Sequence, residues 1–213
     1  SALVSAVQYN AMTLLKSGYR KTLAGKLCKA KVMIAGIQES RCKRAGVFTM
    51  FGYHIAASVA NARGSYGCEV WFSTKLPIGK YKGSPVGIRA KDISIIHTAH
   101  RYIVVRVHSG PFSLVVISAH AQHYEKKQPM LAKTWYCSFV AMVNTIIDKY
   151  PNVVVLVDGN VTFKNCQELA ACSSSSSSIQ LGGVSKGKPS VHHGDVSYEL
   201  QKAPKLKFVS TIG

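Results

Sequence analysis

The sequence predicts an α/β fold in which two β-sheets pack face to face, with helices on the outside. Short apolar runs rich in Val and Ile outnumber the segments with helical periodicity. The spacing of these runs is partly that of hairpins and partly that of crossings through a helix. At 213 residues, the chain is most economically a single domain over residues 1–213, large enough to bury a substantial core.

The first half of the chain indicates a strand–helix–strand unit followed by a pair of strands. The helix of this unit is basic and carries Leu23, Leu27 and Ala30 at helical spacing. The second strand, Val-Met-Ile-Ala-Gly-Ile, is apolar throughout, so we expect it to be buried on both faces. The predicted strands lie at 2–10, 32–37, 47–60 and 68–76, and the helix lies at 19–31.

The second half of the chain contains the clearest helix pattern. Apolar residues recur on one face over residues 130–148, and Pro151 follows the end of the pattern. The predicted buried face consists of Trp135, Phe139, Met142, Val143, Ile146 and Ile147. Further strands are predicted at 92–97, 101–108, 112–119 and 153–157.

A segment at about 172–190 differs in composition from the rest of the chain. Six serines follow Cys172, and glycines and lysines come after them. A segment of this composition has little apolar surface to bury, so we expect a flexible loop without a packed element.

Polar residues close four of the predicted strands. Asn10 ends the first strand, Glu39 follows the second, His120 follows the strand at 112–119, and Asp158 and Asn160 follow the last. Carboxylate and amide oxygens suit a hard cation such as Mg²⁺, so Glu39 and Asn10 are the candidate metal ligands. Asp158 and Asn160 can orient water and a phosphate, and His120 can hydrogen-bond a phosphate oxygen. These strand ends are therefore the candidate site.

Each candidate residue also has a purely structural interpretation. Asn10 can cap a helix or turn, and a histidine that closes an apolar strand is often structural. Asp-Gly-Asn is also an ordinary turn sequence. Arg41 and Arg63 are candidates for phosphate contacts, although arginines on surface loops are usually just solvated. Tyr66 is a candidate for contact with nucleic acid, with packing inside its loop as the alternative.

The charge of the chain is large and of one sign. The sequence contains 27 Lys+Arg and 9 Asp+Glu, which gives a formal net charge of +18. Such a charge destabilises an isolated compact protein by self-repulsion, so we expect a polyanionic partner. Nucleic acid is the first candidate, and an anionic membrane surface is the second. The basic residues are spread along the chain, which favours a folded binding surface over a disordered tail.

The cysteines and the hydropathy pattern give an expectation about the compartment. The six cysteines form no CxxC pair and no regular framework, so free thiols in a reducing, intracellular compartment are expected. We see no apolar run as long as a membrane span and no signal-peptide pattern at the start. The sequence does not indicate an oligomeric state.

Four of the strand-end motifs together resemble a known superfamily. They are Val-Gln-Tyr-Asn10, Ile-Gln-Glu39-Ser-Arg41, Ser-Ala-His120-Ala-Gln and Leu-Val-Asp158-Gly-Asn160. In this order and at this spacing they resemble the endonuclease/exonuclease/phosphatase superfamily of DNase I-like and apurinic-site nucleases. Through Gly-Ile-Gln-Glu-Ser-Arg and Gly-Ser-Tyr-Gly-Cys-Glu-Val-Trp-Phe-Ser, the chain is most similar to the endonuclease domains of non-LTR retrotransposons. The resemblance covers about residues 3–165.

The resemblance implies a fold, a reaction and a cofactor. The expected fold is a four-layered αββα sandwich of the DNase I-like type. Active members of the superfamily cleave phosphodiester bonds with Mg²⁺ or Mn²⁺. These properties are what the resemblance implies for a domain whose strand ends carry the matching residues.

The C-terminal part of the chain departs from the pattern of active members. Those end with an Asp inside a strand and then a Ser-Asp-His motif that supplies a catalytic His, and this sequence has no Ser-Asp-His. Asp195, before Val-Ser-Tyr, is a candidate for the first of these acids. His192 and His193 are candidates to replace the missing His, but their spacing does not support this role. Either the domain is truncated or this copy has lost the final catalytic group.

Two function hypotheses follow from these observations. The first is a Mg²⁺-dependent endonuclease that acts on DNA, which predicts a nuclear location for a retrotransposon-type enzyme. The second is a catalytically degenerate copy of the same fold that binds RNA as a subunit of a ribonucleoprotein, such as an organellar ribosome, in a mitochondrion or another organelle. The retained strand-end residues favour the first hypothesis. The missing Ser-Asp-His and the charge favour the second.

Overall fold

The computed structural model describes residues 5–123, 129–160, 179–182 and 197–200. A five-stranded sheet, with strand order β1-β2-β5-β4-β3, forms from the first part of the chain. Its first two strands are parallel and are joined through helix α1, as the predicted strand–helix–strand unit requires. The elements are β1 Ala6–Asn10, α1 Tyr19–Lys29, β2 Ile34–Gln38, β3 Gly46–Met50, β4 Tyr53–Ala57 and β5 Glu69–Ser73.

A four-stranded sheet, with strand order β11-β10-β9-β8, forms from the second part of the chain. Strands β10 and β11 are parallel and are joined through helix α2, so this sheet repeats the arrangement of the first. A short hairpin and a 3-10 helix, Ala90–Asp92, connect the two sheets. The elements are β6 Gly79–Tyr81, β7 Ser84–Val86, β8 Ile93–Ala99, β9 Tyr102–Ser109, β10 Phe112–His120, α2 Pro129–Lys149 and β11 Val153–Asp158.

Three apolar cores separate four layers of structure. The largest lies between the two sheets and includes Ile34, Phe72, Val105 and Leu156. A second core packs α1 on the outer face of the first sheet. A third packs α2 on the outer face of the second sheet through the predicted helix face, including Trp135, Phe139, Met142, Val143, Ile146 and Ile147. The predicted αββα sandwich is therefore confirmed.

The segment at 47–60 forms a hairpin where we predicted one strand. Met50 pairs with Tyr53, so only Phe51 and Gly52 form the loop between β3 and β4. Both loop residues have positive φ, 50° and 82°, as in the type I′ turns that suit the twist of a tight hairpin. The prediction missed the turn because Phe51 occupies a position where Asn or Asp is the usual turn residue.

Helix α2 also corrects the expectation that no segment is long and apolar enough to span a membrane. By length and composition Met130–Lys149 qualifies, with a mean hydropathy of 1.2. Ala, Cys and Met residues outside the packed face raise the mean hydropathy of the helix. The side chains of Phe139, Val143 and Ile146 pack on the second sheet, so one face of this outer helix is covered by the rest of the domain.

Two short strands lie near the C-terminus. Ile179–Gly182 pairs antiparallel with Ser197–Leu200, and we label these strands β12 and β13. Strand β12 falls inside the segment at 172–190 that we expected to be a flexible loop. The structure differs from that expectation at these four residues, where Ile-Gln-Leu carries the alternation typical of a strand.

The two sheets touch most closely where β2 crosses β10 and β11. Gly36 faces Leu156 so closely that a Cβ atom at Gly36 would lie 2.6 Å from the Leu156 Cβ. Gln38, which is fully buried, donates from Nε2 to Ser118 Oγ at 3.0 Å and to the Leu156 carbonyl at 3.3 Å. Its Oε1 atom accepts from Gln8 Nε2 at 2.7 Å. Apolar contact and hydrogen bonds together therefore fix the register of one sheet on the other.

We predict that Gly36→Ala destabilises the fold because the added methyl group has no space against Leu156. The expected loss is about 1–3 kcal/mol in the free energy of unfolding, as for overpacked cores. Urea denaturation followed by circular dichroism measures it. The matched control is Gly25→Ala on α1, where a Cβ meets nothing within 4 Å. Because alanine is favoured over glycine in a helix, the control substitution should raise the free energy of unfolding by roughly 0.5–1 kcal/mol. Equal effects at both positions would show that Gly36 is not needed for the close contact with Leu156.

Candidate active site

The five polar residues predicted at strand ends form one hydrogen-bonded cluster. Asn10 is the last residue of β1, Glu39 follows β2, and His120 and Asp158 are the last residues of β10 and β11. Asn160 lies two residues beyond Asp158. Parallel pairing within each sheet sets Asn10 opposite Gln38 and His120 opposite Asp158, so the polar ends of both pairs lie at one rim of the sandwich.

Asn10 joins the two carboxylates of the cluster. Its Nδ2 atom donates to Glu39 Oε1 at 3.1 Å and to Asp158 Oδ2 at 2.6 Å. Its Oδ1 atom accepts from the backbone N–H of Met12 at 2.9 Å, which fixes the direction of the amide. One amide thus connects the ends of β1, β2 and β11, which belong to both sheets.

His120 contacts the same two carboxylates from the other side. Its Nε2 atom lies 3.2 Å from Glu39 Oε1 and 3.9 Å from Asp158 Oδ2. Asn160 Nδ2 lies 2.7 Å from the same Nε2 atom and donates to the carbonyl of Ala121 at 3.0 Å. The imidazole is buried, with 7% of the side chain exposed, and its polar edge faces the cluster.

The two carboxylates create a local negative charge on a strongly basic protein. Both lie next to Asn10 Nδ2 and His120 Nε2, and both keep part of their surface exposed, 24% for Glu39 and 19% for Asp158. Like charges this close destabilise each other unless a cation or a donor lies between them. The arrangement is therefore suited to a group that brings positive charge.

The pKa of Glu39 reflects this environment. The hydrogen bond with His120 lowers it most, the hydrogen bond from Asn10 lowers it further, and partial burial opposes both. The result is a pKa of about 2, so Glu39 is ionised at any physiological pH. An ionised carboxylate is the form that binds a metal ion or accepts a hydrogen bond from a donor.

Several residues of the site have left-handed backbone conformations, which are costly for residues other than glycine. The φ angles are 51° at Glu39, 55° at Arg41, 69° at Tyr66 and 49° at Asn160. Each such residue costs of order 1–3 kcal/mol unless the surroundings hold it in place, and such residues cluster at functional sites.

The donor set fits a hard divalent cation in part. Glu39 and Asp158 provide carboxylate oxygens, and magnesium is usually held by one or two carboxylates together with water and substrate phosphate oxygens. Among the described residues there is no cluster of three or more His, Cys, Asp or Glu side chains in metal-binding geometry. Asn10 presents its nitrogen to the carboxylates, because its oxygen accepts from Met12. The residues whose oxygens would hold a cation in this arrangement are thus Glu39 and Asp158, and the role of Asn10 as a metal ligand stays a prediction.

Two of the three residues predicted to contact nucleic acid lie next to the cluster. Arg41 Nη2 lies 4.0 Å from Glu39 Oε2, with 43% of the side chain exposed. The ring of Tyr66 packs on that of His120, with the centroids 5.8 Å apart. Arg63 lies in the exposed turn that begins at Asn61, and no contact among the described residues joins it to the cluster. Its role stays a prediction.

Sequence reasoning missed two residues next to the site. Arg101, at the turn between β8 and β9, donates from Nη1 to the carbonyl of Ala121 at 3.0 Å. Tyr136 on α2 donates its hydroxyl to the carbonyl of Gly159. Neither belongs to a motif or closes an apolar run, so only the tertiary structure identifies them. Asp195 lies outside the described residues and stays a prediction.

Comparison with solved structures identifies the fold. The chain matches the catalytic domain of Xenopus laevis APE2 with a TM-score of 0.50 and 16% identity, over 74% of this chain and 58% of that domain. It matches the endonuclease domain of TRAS1, a telomere-specific non-LTR retrotransposon, with a TM-score of 0.50 and 13% identity, over 93% of this chain and 85% of that domain. It also matches the human Nocturnin catalytic domain, solved with a bound sulfate anion, with a TM-score of 0.50 and 15% identity, over 85% of this chain and 72% of that domain.

The chain has the DNase I-like fold. The predicted resemblance to the endonuclease/exonuclease/phosphatase superfamily is therefore confirmed at the level of the fold. No family model matches the chain, and the comparison with curated proteins found no match. The chain spans 58% of the length of the APE2 catalytic domain.

We predict that the contribution of Glu39 to stability is lost at acidic pH. The folded protein holds the pKa of Glu39 at about 2, against an ordinary value of 4.5. The ionised carboxylate therefore stabilises the fold above pH 4.5, and this stabilisation decreases as the pH falls toward 2. Urea denaturation of the wild-type protein and of Glu39→Gln at a series of pH values measures the difference in unfolding free energy.

The control for this prediction is Asp148→Asn, which removes an exposed carboxylate from the end of α2. The difference between the wild-type protein and Glu39→Gln should shrink between pH 5 and pH 2.5, while the control difference stays small throughout. A Glu39→Gln difference that is constant over this range would show that the carboxylate is not held as the structure describes.

Proposed function

We propose that this protein is a Mg²⁺-dependent phosphodiesterase of the endonuclease type that acts on nucleic acid. The observation that supports it most is the convergence of Asn10, Glu39, His120, Asp158 and Asn160 on one hydrogen-bonded cluster. Contacts within the cluster join residues as far as 148 positions apart in the chain. A turn or a cap would explain any one of these residues, but none of those local roles explains why they meet.

Each residue of the cluster has a role that its contacts support. We assign to Asp158, whose Oδ1 accepts from the backbone N–H of Asn160 at 3.4 Å, the role of orienting a water molecule. His120 and Asn160 present nitrogen atoms that can donate to a non-bridging phosphate oxygen, where negative charge develops in the transition state. Asn10 holds the two carboxylates in register. Arg41, on the rim, can contact a neighbouring phosphate.

Glu39 is the residue that we propose holds the metal ion, and Asn10 would be the second ligand only in a state in which its amide turns and releases the two carboxylates. When bound there, Mg²⁺ or Mn²⁺ would supply charge neutralisation for a phosphate oxygen. Two carboxylates at the rim would attract such an ion in a protein whose other surfaces repel cations.

The charge of the chain supports nucleic acid as the substrate. The chain has 27 basic and 9 acidic residues, and the basic residues are distributed over the sequence. Three of them, Arg41, Lys43 and Arg44, flank the site. Cations that neutralise phosphates release counterions, and this gives salt-dependent affinity without sequence readout. We propose DNA as the substrate of the enzyme and a nuclear location for it.

The same charge supports a second candidate function. A subunit embedded permanently among phosphates needs many cations, whereas an enzyme that must release its product gains little from a charge of +18. In this alternative, the domain is a catalytically degenerate copy that binds RNA in a ribonucleoprotein of a mitochondrion or another organelle. The cluster would then have a structural role.

We predict metal-dependent nicking of supercoiled plasmid by the purified chain. Glu39→Ala and Asp158→Ala should each lower the nicking rate by about a hundredfold or more, because each removes a group that acts at the reacting phosphate. Gel electrophoresis of plasmid incubated with Mg²⁺, with Mn²⁺ and with EDTA measures the rate. Asp148→Ala, which removes an acid from the far end of α2, is the matched control and should retain wild-type activity.

Binding separates the two candidate functions. If no preparation nicks DNA, while the wild-type protein and both site variants bind RNA equally tightly and with the same salt dependence, the enzyme proposal is wrong and the binding-subunit proposal stands. Fluorescence anisotropy with labelled single-stranded RNA and duplex DNA, at several salt concentrations, provides this comparison.

A further inference from the structure

Arg101 and Tyr66 form a stack next to His120 that none of the roles above explains. The guanidinium carbon of Arg101 lies 3.8 Å from the centroid of the Tyr66 ring. This is well within the range in which a cation and an aromatic face attract each other. The Tyr66 ring in turn packs against the His120 ring, with an angle of 42° between the planes. The three side chains therefore form a continuous series of contacts that ends at the site, and we call this series the stack.

Arg101 also holds the backbone that carries the imidazole. Its Nη1 atom donates to the Ala121 carbonyl at 3.0 Å and approaches the His120 carbonyl at 3.4 Å. The backbone N–H of His120 donates to the carbonyl of Arg101 at 2.7 Å. Arg101 thus contacts His120 both through the backbone and through the ring of Tyr66.

The segment that carries Tyr66 connects this stack to the loop of Glu39. The Tyr66 carbonyl accepts from the N–H of Arg41 at 2.8 Å, and the Gly67 carbonyl accepts from the N–H of Ser40 at 3.0 Å. The N–H of Gly67 donates to the His100 carbonyl at 2.8 Å. A single short segment therefore joins the loop after β2, in one sheet, to the turn between β8 and β9, in the other.

The His120 ring itself has few restraints besides this stack. Its Nδ1 atom is buried and makes no hydrogen bond with the residues that the structure describes. The contacts of Nε2 are with Glu39, Asp158 and Asn160, the groups of the proposed metal and phosphate site. Contact with the Tyr66 ring is therefore a restraint on the imidazole that does not depend on those groups.

We propose that Arg101 and Tyr66 are positioning residues that fix the imidazole of His120 relative to Glu39. The inference rests on the proposed function of the cluster and deepens it. Arg101 directs Nη1 to main-chain carbonyls and its guanidinium face to a ring, so its contacts are internal to the protein. In this arrangement, Tyr66 acts through His120 and not through contact with nucleic acid.

The test compares variants that keep or remove the stack. Tyr66→Phe keeps the ring, whereas Tyr66→Leu removes it, and Arg101→Lys keeps the charge but loses the planar group that stacks and donates. We expect Tyr66→Leu and Arg101→Lys to lower kcat for cleavage of a labelled duplex by about 10- to 100-fold, because small displacements of a reacting group have effects of this size. Tyr66→Phe should retain the wild-type kcat.

Binding measurements distinguish positioning from direct contact. In a positioning role, all three variants bind the duplex in EDTA with the wild-type Kd and the wild-type salt dependence. A residue that contacts nucleic acid directly would instead weaken binding in its variant, with the salt slope unchanged because none of the three variants removes a charge. That second result would overturn the proposal for the residue concerned. The double variant Tyr66→Leu/Arg101→Lys should lower kcat no more than the more impaired single variant does. The effects of residues that act as a unit are not additive.

A spectroscopic measurement keeps the proposal testable if the chain does not cleave nucleic acid. The ring signals of His120 in a histidine-labelled ¹H–¹³C NMR spectrum are identified as those that are absent from the spectrum of His120→Ala. We expect Tyr66→Leu and Arg101→Lys to shift these signals, while Tyr66→Phe leaves them in place. Unchanged His120 signals in a folded Tyr66→Leu protein would refute the positioning role. Absence of cleavage by the wild-type protein would refute only the proposed function.

Discussion

The close contact of β2 with β10 and β11 is the constraint on which the rest of the molecule depends. Gly36 allows this approach because any side chain there would collide with Leu156, and Gln38 then bonds to Ser118 and to the Leu156 carbonyl across the sheets. A slip of one residue along either strand would break both the packing and the hydrogen bonds. The contact lies one step inside the rim, so it also sets where the strand ends meet.

The scarcity of acidic side chains makes their placement informative. Among the acids whose side chains the structure describes, Glu69 is buried in an ion pair with Arg20 at 2.5 Å, and Asp92 pairs with Arg89 at 3.1 Å. Glu39 and Asp158 instead face each other across Asn10 and His120. The protein thus neutralises its interior carboxylates with close arginine pairs, whereas Arg41 at the rim approaches Glu39 only to 4.0 Å, with 43% of its side chain exposed. That difference separates a site that can accept a cation from acids that serve the fold.

Much of the fold and of the site could be predicted, for reasons that particular residues illustrate. An apolar run that ends in a polar residue marks a strand end whether or not its partner is known, so Asn10, Glu39, His120 and Asp158 were recognisable. The turn at Phe51 was not, because its positive φ is held by the hairpin and not by the residue type. Arg101 could not be predicted either, since its importance comes from Tyr66 and Ala121, which are distant in sequence.

The long separation of the site residues has a consequence for folding. The contact between Asn10 and Asp158 closes a loop of 148 residues, whereas each strand–helix–strand unit depends on much shorter connections. Local units form before distant ones because the entropy lost on closing a loop grows with its length. We therefore expect the two carboxylates to come together only when the two halves dock. A ligand bound to both would then stabilise the contact between the halves of the protein.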